Sequence, residues 1–154
     1  MNIRVAKPAD ILAIMALEKQ ADTAAHWSDE IYRSLFAAGS ISRIMLVAEH
    51  DGSISAFIVA RTVGGEWDIE NLVVATHLRR QGIACALIHD LIRQARTAGA
   101  HTILLEVRES NASARDFYNK AGFIERGRRR RYYQEPEEDA ICYSLELIPT
   151  ISKS

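Results

Sequence analysis

Two side chains suited to proton transfer, Glu106 and Tyr118, stand in the second half of the chain. Glu106 ends an otherwise apolar run, and burial there would make its carboxylate a better base near neutral pH. A plainer alternative is a solvated glutamate paired with Arg108, Arg79 or Arg80. A helix tyrosine such as Tyr118 is most often a core aromatic whose hydroxyl has a partner. On pattern alone, the plainer alternative is favoured for both residues.

A short segment with the sequence Arg79-Arg80-Gln81-Gly82-Ile83-Ala84 could hold a diphosphate, because it stands between a predicted strand and a predicted helix. The N-terminus of a helix presents unpaired N–H groups and a partial positive charge to an anion. Gly82 has no Cβ to block a ligand, Ala84 is small, and the two arginines add positive charge. An ordinary strand-to-helix connection explains these residues equally well. The segment matches neither a Walker loop nor a dinucleotide-binding fingerprint.

Hydrophobic periodicity predicts an α+β domain with the element order βααβββαβαββ, which places these residues at the ends of strands and helices. Ser28 is the expected cap of the second helix, which includes Leu35 and Phe36, and Asp51-Gly52 is the expected hairpin turn. Strands are predicted around Ile3 and Val5 and at residues 42–49, 54–62, 67–74, 101–107, 123–133 and 140–147, and helices from Pro8, after Ser28 and at residues 82–98 and 112–121.

The bulk composition indicates one soluble domain spanning residues 1–154, with a formal net charge of −1. Cys85 and Cys142 are far apart and show no zinc or disulfide spacing, so each is expected to be a small buried residue in a reducing compartment. No leader peptide or membrane-spanning run is apparent. We therefore expect a cytoplasmic protein with no metal and no membrane contact.

The segment at residues 79–84 resembles the Arg/Gln-x-x-Gly-x-Gly/Ala signature of the GNAT acetyltransferase family. Residues 71–74, 104–108 and 110–123 also resemble this family in the family's order, so the likeness covers most of residues 67–134. The resemblance implies a GNAT fold, with a mixed, mostly antiparallel sheet of about seven strands flanked by about four helices. It also implies acetyl-CoA as co-substrate. The implied acetyl-CoA-binding residues are Leu72, Val73, Val74, Arg79, Arg80, Gln81, Gly82, Ile83, Ala84, Cys85 and Asn111.

Glu106 and Tyr118 are similar to the base glutamate and acid tyrosine of the family's RimI-type branch, the protein N-terminal alanine acetyltransferases. This likeness implies direct transfer in a ternary complex. Glu106 would deprotonate the acceptor ammonium, directly or through a water, and Tyr118 would return a proton to the coenzyme A sulfur. The N–H group of Val73 is the expected donor to the oxyanion.

Two further segments resemble that branch and imply the residues that bind the acceptor. His26-Trp27-Ser28 is similar to its His-Pro-Trp-Ser segment, although alanine stands where the proline would be. The segment from Arg129 to Tyr133, Arg-Arg-Arg-Tyr-Tyr, is similar to its Arg-Arg-x-Tyr-Tyr segment. The implied acceptor-binding residues are Trp27, Arg131 and Tyr132.

Three functions stay open at this point: acetylation of a protein N-terminus such as a ribosomal alanine, acetylation of a small amine, or regulation by acyl-CoA binding without turnover. The presence of both Glu106 and Tyr118 disfavours the regulator, since a pure binding module needs neither. The arginines between residues 126 and 131 are better explained as an exposed strand balanced by nearby carboxylates than as a nucleic-acid surface. We expect a ribosomal protein as partner, no direct nucleic-acid contact, and a monomer or weak dimer.

Overall fold

The computed structural model of the protein describes residues 1–21, 29–34 and 42–147. Its strands are β1 (Asn2–Val5), β2 (Arg43–His50), β3 (Ser53–Val63), β4 (Glu66–Val74), β5 (Thr102–Arg108), β6 (Ile124–Tyr133) and β7 (Glu138–Glu146). Its helices are α1 (Ile11–Gln20), α2 (Asp29–Ser34), α3 (Ile83–Thr97) and α4 (Ala112–Lys120), with short 3-10 turns at Pro8–Asp10 and Thr76–Leu78. The predicted element order is confirmed.

The strands form one sheet in the order β1-β2-β3-β4-β5-β7-β6. Within the described residues, β4 and β5 pair in parallel and all other neighbours pair antiparallel. The predicted mixed, mostly antiparallel sheet of seven strands is therefore confirmed. None of the described helices is long and apolar enough to cross a membrane.

Local sequence signals account for most of the turns. Asp51 and Gly52 both have positive φ, at 51° and 78°, as a tight hairpin requires. Pro8 begins a 3-10 turn that leads into α1, and Arg4 fixes this turn through hydrogen bonds of 2.8 and 3.0 Å to the Asp10 carboxylate. Ser28, Leu35 and Phe36 lie outside the described residues, so the expected cap of α2 stays a prediction.

Two apolar layers cover the two faces of the sheet. Helices α3 and α4 pack on one face around Leu87, Leu91 and Ile103, while α1 and α2 pack on the other face around Ile14 and Phe57. The buried side of α3 follows the predicted helical spacing but begins one residue earlier than expected, since Ile83 is buried and Ala84 is only half-buried. Each fully buried Leu, Ile or Phe stabilises the fold by about 1.5–3 kcal/mol.

The feature that matters most for function is the separation of β4 from β5. The two strands pair only from Glu66–Thr102 to Ile69–Leu105. Immediately afterwards Glu70 is an extra residue in the β3–β4 ladder, because Asn71 pairs with Val59 and Ile69 pairs with Ala60. A bulge of this kind bends its strand and ends the regular pairing. The C-terminal halves of β4 and β5 therefore diverge and leave a gap in the sheet.

Candidate active site

A cleft of about 1330 Å³ opens in the gap between β4 and β5, larger than the roughly 300–1,000 Å³ of a typical small-molecule pocket. All the predicted acetyl-CoA-binding residues except Gln81 line the cleft, together with Glu106, Tyr118 and Tyr132. The Gln81 side chain is exposed instead. Trp27, the other expected acceptor-binding aromatic, lies outside the described residues. The structure thus brings the predicted donor site and both proton-transfer candidates to one place.

The wall formed by β4 offers backbone groups at alternate residues. Ala75 donates to the Ser55 carbonyl at 2.8 Å, and hydrogen-bonded pairs recur every second residue along an antiparallel ladder. Val73 therefore directs its N–H and C=O toward β3, and Leu72 and Val74 direct theirs into the gap. The N–H of Val73, the expected oxyanion donor, therefore does not face the cleft, whereas the N–H of Leu72 does. The sequence predicted the segment but not which of its backbone groups face the cleft.

The N-terminus of α3 supplies further unpaired donors. The first helical hydrogen bond runs from Ala86 to the Gly82 carbonyl at 3.0 Å, and no side chain caps the helix. Within the described part of the chain, this leaves the N–H groups of Ile83, Ala84 and Cys85 without a protein acceptor. Gly82 has φ of +83°, and a Cβ there would meet nothing within 4 Å. The site therefore fits the diphosphate of acetyl-CoA in both open space and donor chemistry.

Arg80 and Cys85 lie next to these N–H groups in the chain. Arg80 has a φ of 65°, and a non-glycine residue held in this region is often found at ligand clamps. Cys85 is exposed, which corrects its expected role as a buried filler. It occupies the third position of α3 and lies off the core-facing side of that helix.

Asn111 caps α4, because its side-chain oxygen accepts a hydrogen bond of 3.1 Å from the N–H of Ala114. The preceding loop is fixed by Glu138, which accepts from the Ser110 N–H at 2.9 Å and from Arg108 at 3.2 Å. The hydrogen bond from the Ser110 N–H has the largest effect on this carboxylate. Together with the bond from Arg108, it holds the pKa of Glu138 below its ordinary value. These contacts therefore fix the start of α4, where Asn111 lines the cleft.

Glu106 lies on the sheet face opposite α3 and α4. Its neighbours Leu105 and Val107 point into the core on the α3 side, so the period of two along the strand turns Glu106 to the other face. The carboxylate is one-quarter exposed and pairs with Arg129, whose Nε lies 2.5 Å from Oε2. Cys142, half-buried and not fully buried as expected, donates its thiol to the same oxygen at 3.5 Å.

The ion pair with Arg129 corrects the alternative drawn from the sequence, which paired Glu106 with Arg108, Arg79 or Arg80. Arg108 instead bonds to Glu138 and places its guanidinium 4.3 Å from the centre of the Tyr133 ring. The correct partner comes from a strand more than twenty residues downstream in the chain, where no local spacing indicates it.

Tyr118 approaches the cleft from the α3 side of the sheet. Its ring is buried and packs edge-on against Phe117 and Phe123, with centroid separations of 5.1 and 5.5 Å. Among the described residues, none forms a hydrogen bond with its hydroxyl. Burial raises the pKa of Tyr118 above its ordinary value, so the phenol keeps its proton at neutral pH. The ring is therefore a core aromatic, as the plainer alternative held, but its hydroxyl is free for a ligand.

Asp68 and Glu70 also line the cleft, and the sequence did not single them out. Asp68 pairs with Leu104 in register and so shares the sheet face of Glu106. The pKa of Asp68 is raised to about 6. The largest cause is partial loss of solvent around the carboxylate, and the negative charges of Glu70 and Glu106 add to it. The alternation of side chains along β4 is the sequence signal that could have identified these two residues. In the part of the chain that the structure describes, no group of three or more His, Cys, Asp or Glu residues could hold a metal ion.

The β6 wall presents Tyr132 but not Arg131. The β6–β7 register passes from Arg129 opposite Ala140 to Tyr133 opposite Glu138, and this leaves a wide bulge. Arg131 lies in that bulge with φ of 53°, and its exposed side chain is 3.7 Å from Glu137. It does not line the cleft, which corrects its expected contact with the acceptor. Arg129 reaches the site in its place.

The rest of the arginine-rich strand β6 is exposed, and Arg128 forms ion pairs there. Arg128 contacts Asp139 at 2.7 Å and Glu109 at 2.9 Å, away from the cleft. This agrees with the expectation of an exposed strand balanced by carboxylates.

Comparison with known proteins identifies the family of the chain. The sequence model of the acetyltransferase (GNAT) family matches residues 11–123. The chain belongs to the GNAT acetyltransferase family. It is accordingly an N-acetyltransferase, and the acetyl donor of this family is acetyl-CoA. The sheet described above, with its flanking helices, is the GNAT fold.

Similarity to individual proteins extends over nearly the whole chain. The chain is 33% identical over 141 residues to the [ribosomal protein bS18]-alanine N-acetyltransferase of Escherichia coli, covering 90% of this chain and 92% of the relative. The enzyme of the same name from Salmonella typhimurium is 31% identical over 148 residues, or 95% and 97% of the two chains. The crystal structure of the Escherichia coli ribosomal-protein-alanine enzyme has a TM-score of 0.85 at 29% identity, over 99% and 97% of the chains.

Proposed function

We propose that this protein transfers the acetyl group of acetyl-CoA to the α-amine of a protein N-terminus, an alanine of a ribosomal protein. The observation that carries the proposal is the placement of Glu106 and Tyr118 on opposite faces of the β4–β5 gap. A thioester lying in that gap has a base on one side and an acid on the other. The acceptor class rests on the names of the relatives that match nearly the full chain.

The chain's backbone binds and orients the donor. The N–H groups at the start of α3 and the side chains of Arg79 and Arg80 receive the diphosphate. Val74 pairs with the pantetheine arm along β4. Leu72 directs its N–H at the thioester oxygen, where negative charge develops in the transition state.

Glu106 and Tyr118 then divide the proton transfers. Glu106 takes one proton from the acceptor ammonium, directly or through a water, and the resulting amine attacks the thioester carbonyl. Leu72 donates to the oxyanion of the tetrahedral intermediate. As the carbon–sulfur bond breaks, Tyr118 gives its proton to the departing sulfur. The nitrogen loses its second proton to solvent as the amide forms. The tyrosinate regains a proton from solvent, and Glu106 releases its proton to solvent.

The acceptor approaches from the face of the sheet that carries Glu106. Asp68 adds negative charge to this approach, which favours a cationic amine and a basic residue after it, whereas the charge of Glu70 is paired with Arg43 at 2.6 Å. Tyr132 and Tyr133 line the same side of the cleft. We place the reaction in the cytoplasm, and we expect a monomer or weak dimer that acts without direct nucleic-acid contact.

Release of free thiol from acetyl-CoA tests the acceptor class. A peptide beginning Ala-Arg should release thiol, and the same peptide with its N-terminus already blocked should not. Faster release with a panel of polyamines, amino acids and aminoglycosides would replace the protein acceptor with a small amine. No release with any acceptor, combined with a thermal shift on acetyl-CoA addition, would indicate a regulator. In cells, mass spectrometry should show one ribosomal-protein N-terminus losing its acetyl group when the protein is absent.

A further inference from the structure

One contact of Glu106 has no part in donor binding or in the acid step. Arg129 on β6 lies opposite Ala140 on β7, and Glu106 on β5 lies opposite Cys142 on β7. Ala140 and Cys142 are two residues apart and therefore point to the same face of the sheet. Arg129 thus extends diagonally across β7 to reach the carboxylate at 2.5 Å.

The two oxygens of the Glu106 carboxylate are not equivalent. Arg129 Nε and the Cys142 thiol both contact Oε2. Among the described residues, none contacts Oε1. A carboxylate held through one oxygen presents the other in a fixed direction, and proton transfer depends strongly on such positioning.

From this asymmetry, and resting on the proposed role of Glu106 as base, we propose that Arg129 is a positioning residue for the reaction. Together with Cys142 it holds Oε2, so that Oε1 is the atom that takes the proton from the acceptor ammonium.

The surroundings of Arg129 favour this role over a purely structural one. The Arg129 and Glu106 side chains are 62% and 25% exposed, and ion pairs this accessible contribute only about 0–1 kcal/mol to stability. The guanidinium also lies 5.4 Å from the centre of the Tyr132 ring, so one side chain connects the base to the wall on the acceptor side. The neighbouring Arg128 pairs only with carboxylates outside the cleft.

Substitution of Arg129 by glutamine tests the proposal, and Arg130→Gln is the matched control. Arg130 is adjacent and exposed, and no ion pair joins it to Glu106 in the described part of the chain. We expect Arg129→Gln to lower kcat by about tenfold, because the carboxylate loses its fixed direction. The KM for acetyl-CoA should stay within about twofold, since donor binding uses other groups.

Arg130→Gln should leave both kcat and the KM for acetyl-CoA unchanged. Arg129→Lys should recover part of the loss, because it restores the positive charge without the planar guanidinium. Cys142→Ala should lower kcat less than Arg129→Gln does. Thermal unfolding of each variant separates a loss of positioning from a loss of folded protein, since a merely structural residue would lower Tm and leave the kcat of the folded enzyme unchanged.

Equal kcat values for Arg129→Gln and Arg130→Gln would overturn the inference. The proposed function would survive that result if wild type still acetylates the Ala-Arg peptide and Glu106→Gln is slow. If Glu106→Gln is as fast as wild type, the proposed base itself is wrong. The two failures are therefore distinguishable in one set of assays.

Discussion

Replacement of Tyr118 by phenylalanine should separate catalysis from stability more cleanly than any other single change. The substitution keeps the buried ring and its contacts with Phe117 and Phe123 and removes only the hydroxyl. Since none of the described residues bonds to this hydroxyl, its removal leaves no protein donor or acceptor unpaired. The free energy of unfolding should therefore change by less than about 0.5 kcal/mol.

The effect on turnover should be much larger. Loss of a positioned general acid costs about 10²- to 10⁴-fold in rate, equivalent to about 3–5 kcal/mol of transition-state stabilisation. Burial raises the pKa of Tyr118, so the acid form persists throughout the neutral and mildly alkaline range. In wild type, kcat should consequently show no loss through Tyr118 ionisation below about pH 10, the ordinary value for tyrosine.

Tyr143→Phe is the matched control for this experiment. Tyr143 is also buried, but its hydroxyl bonds to Arg115 Nε at 3.1 Å. Removing that partner from a charged group should cost about 1.5 kcal/mol and lower Tm by about 3–6 °C. Its kcat should remain close to wild type, because this hydroxyl bonds to Arg115 and takes no part in the proposed reaction.

Thiol release at saturating acetyl-CoA and thermal unfolding provide the two measurements. A Tyr118→Phe variant with wild-type kcat would remove Tyr118 from the role of acid. A fall in its Tm as large as that of Tyr143→Phe would show that the hydroxyl has a structural partner after all, and the argument from its free state would fail.

Four further outcomes follow from named contacts. Glu106→Gln should lower kcat by about 10²- to 10⁴-fold with little change in Tm, as expected for a general base that is partly exposed; wild-type turnover would exclude it as the base. Gly82→Val should raise the KM for acetyl-CoA, because φ is +83° there and the added side chain enters the open space before α3; an unchanged KM would place the diphosphate elsewhere. Asn111→Ala should lower the free energy of unfolding by about 1 kcal/mol through loss of the α4 cap, whereas Asn111→Asp should preserve it; both are measured by denaturant unfolding. Arg4 lowers the pKa of Asp10, so this pair stabilises the fold above the ordinary aspartate pKa, and the stability is lost as pH falls below about 4; Asp10→Asn should flatten that part of the stability–pH curve.

Local patterns in the sequence were sufficient for the elements and for the donor half of the site. The apolar spacing of α3, the hairpin residues Asp51 and Gly52, and the glycine before α3 each act over a few neighbouring residues. Helix periodicity, positive φ and open helix N-termini are properties of short segments, and such properties can be predicted before the chain folds. For that reason the segment at residues 79–84 lies where the sequence indicated.

The tertiary structure decided which groups meet in the cleft. Pairing of β4 with β3 determines that Leu72, and not Val73, turns its N–H into the gap. The bulge in β6 turns Arg131 away and brings Arg129 to Glu106. Strand register and bulges depend on contacts between residues far apart in sequence, and a shift of one residue reverses every side chain. The sequence therefore determined the kind of chemistry, and long-range strand pairing determined the atoms that perform it.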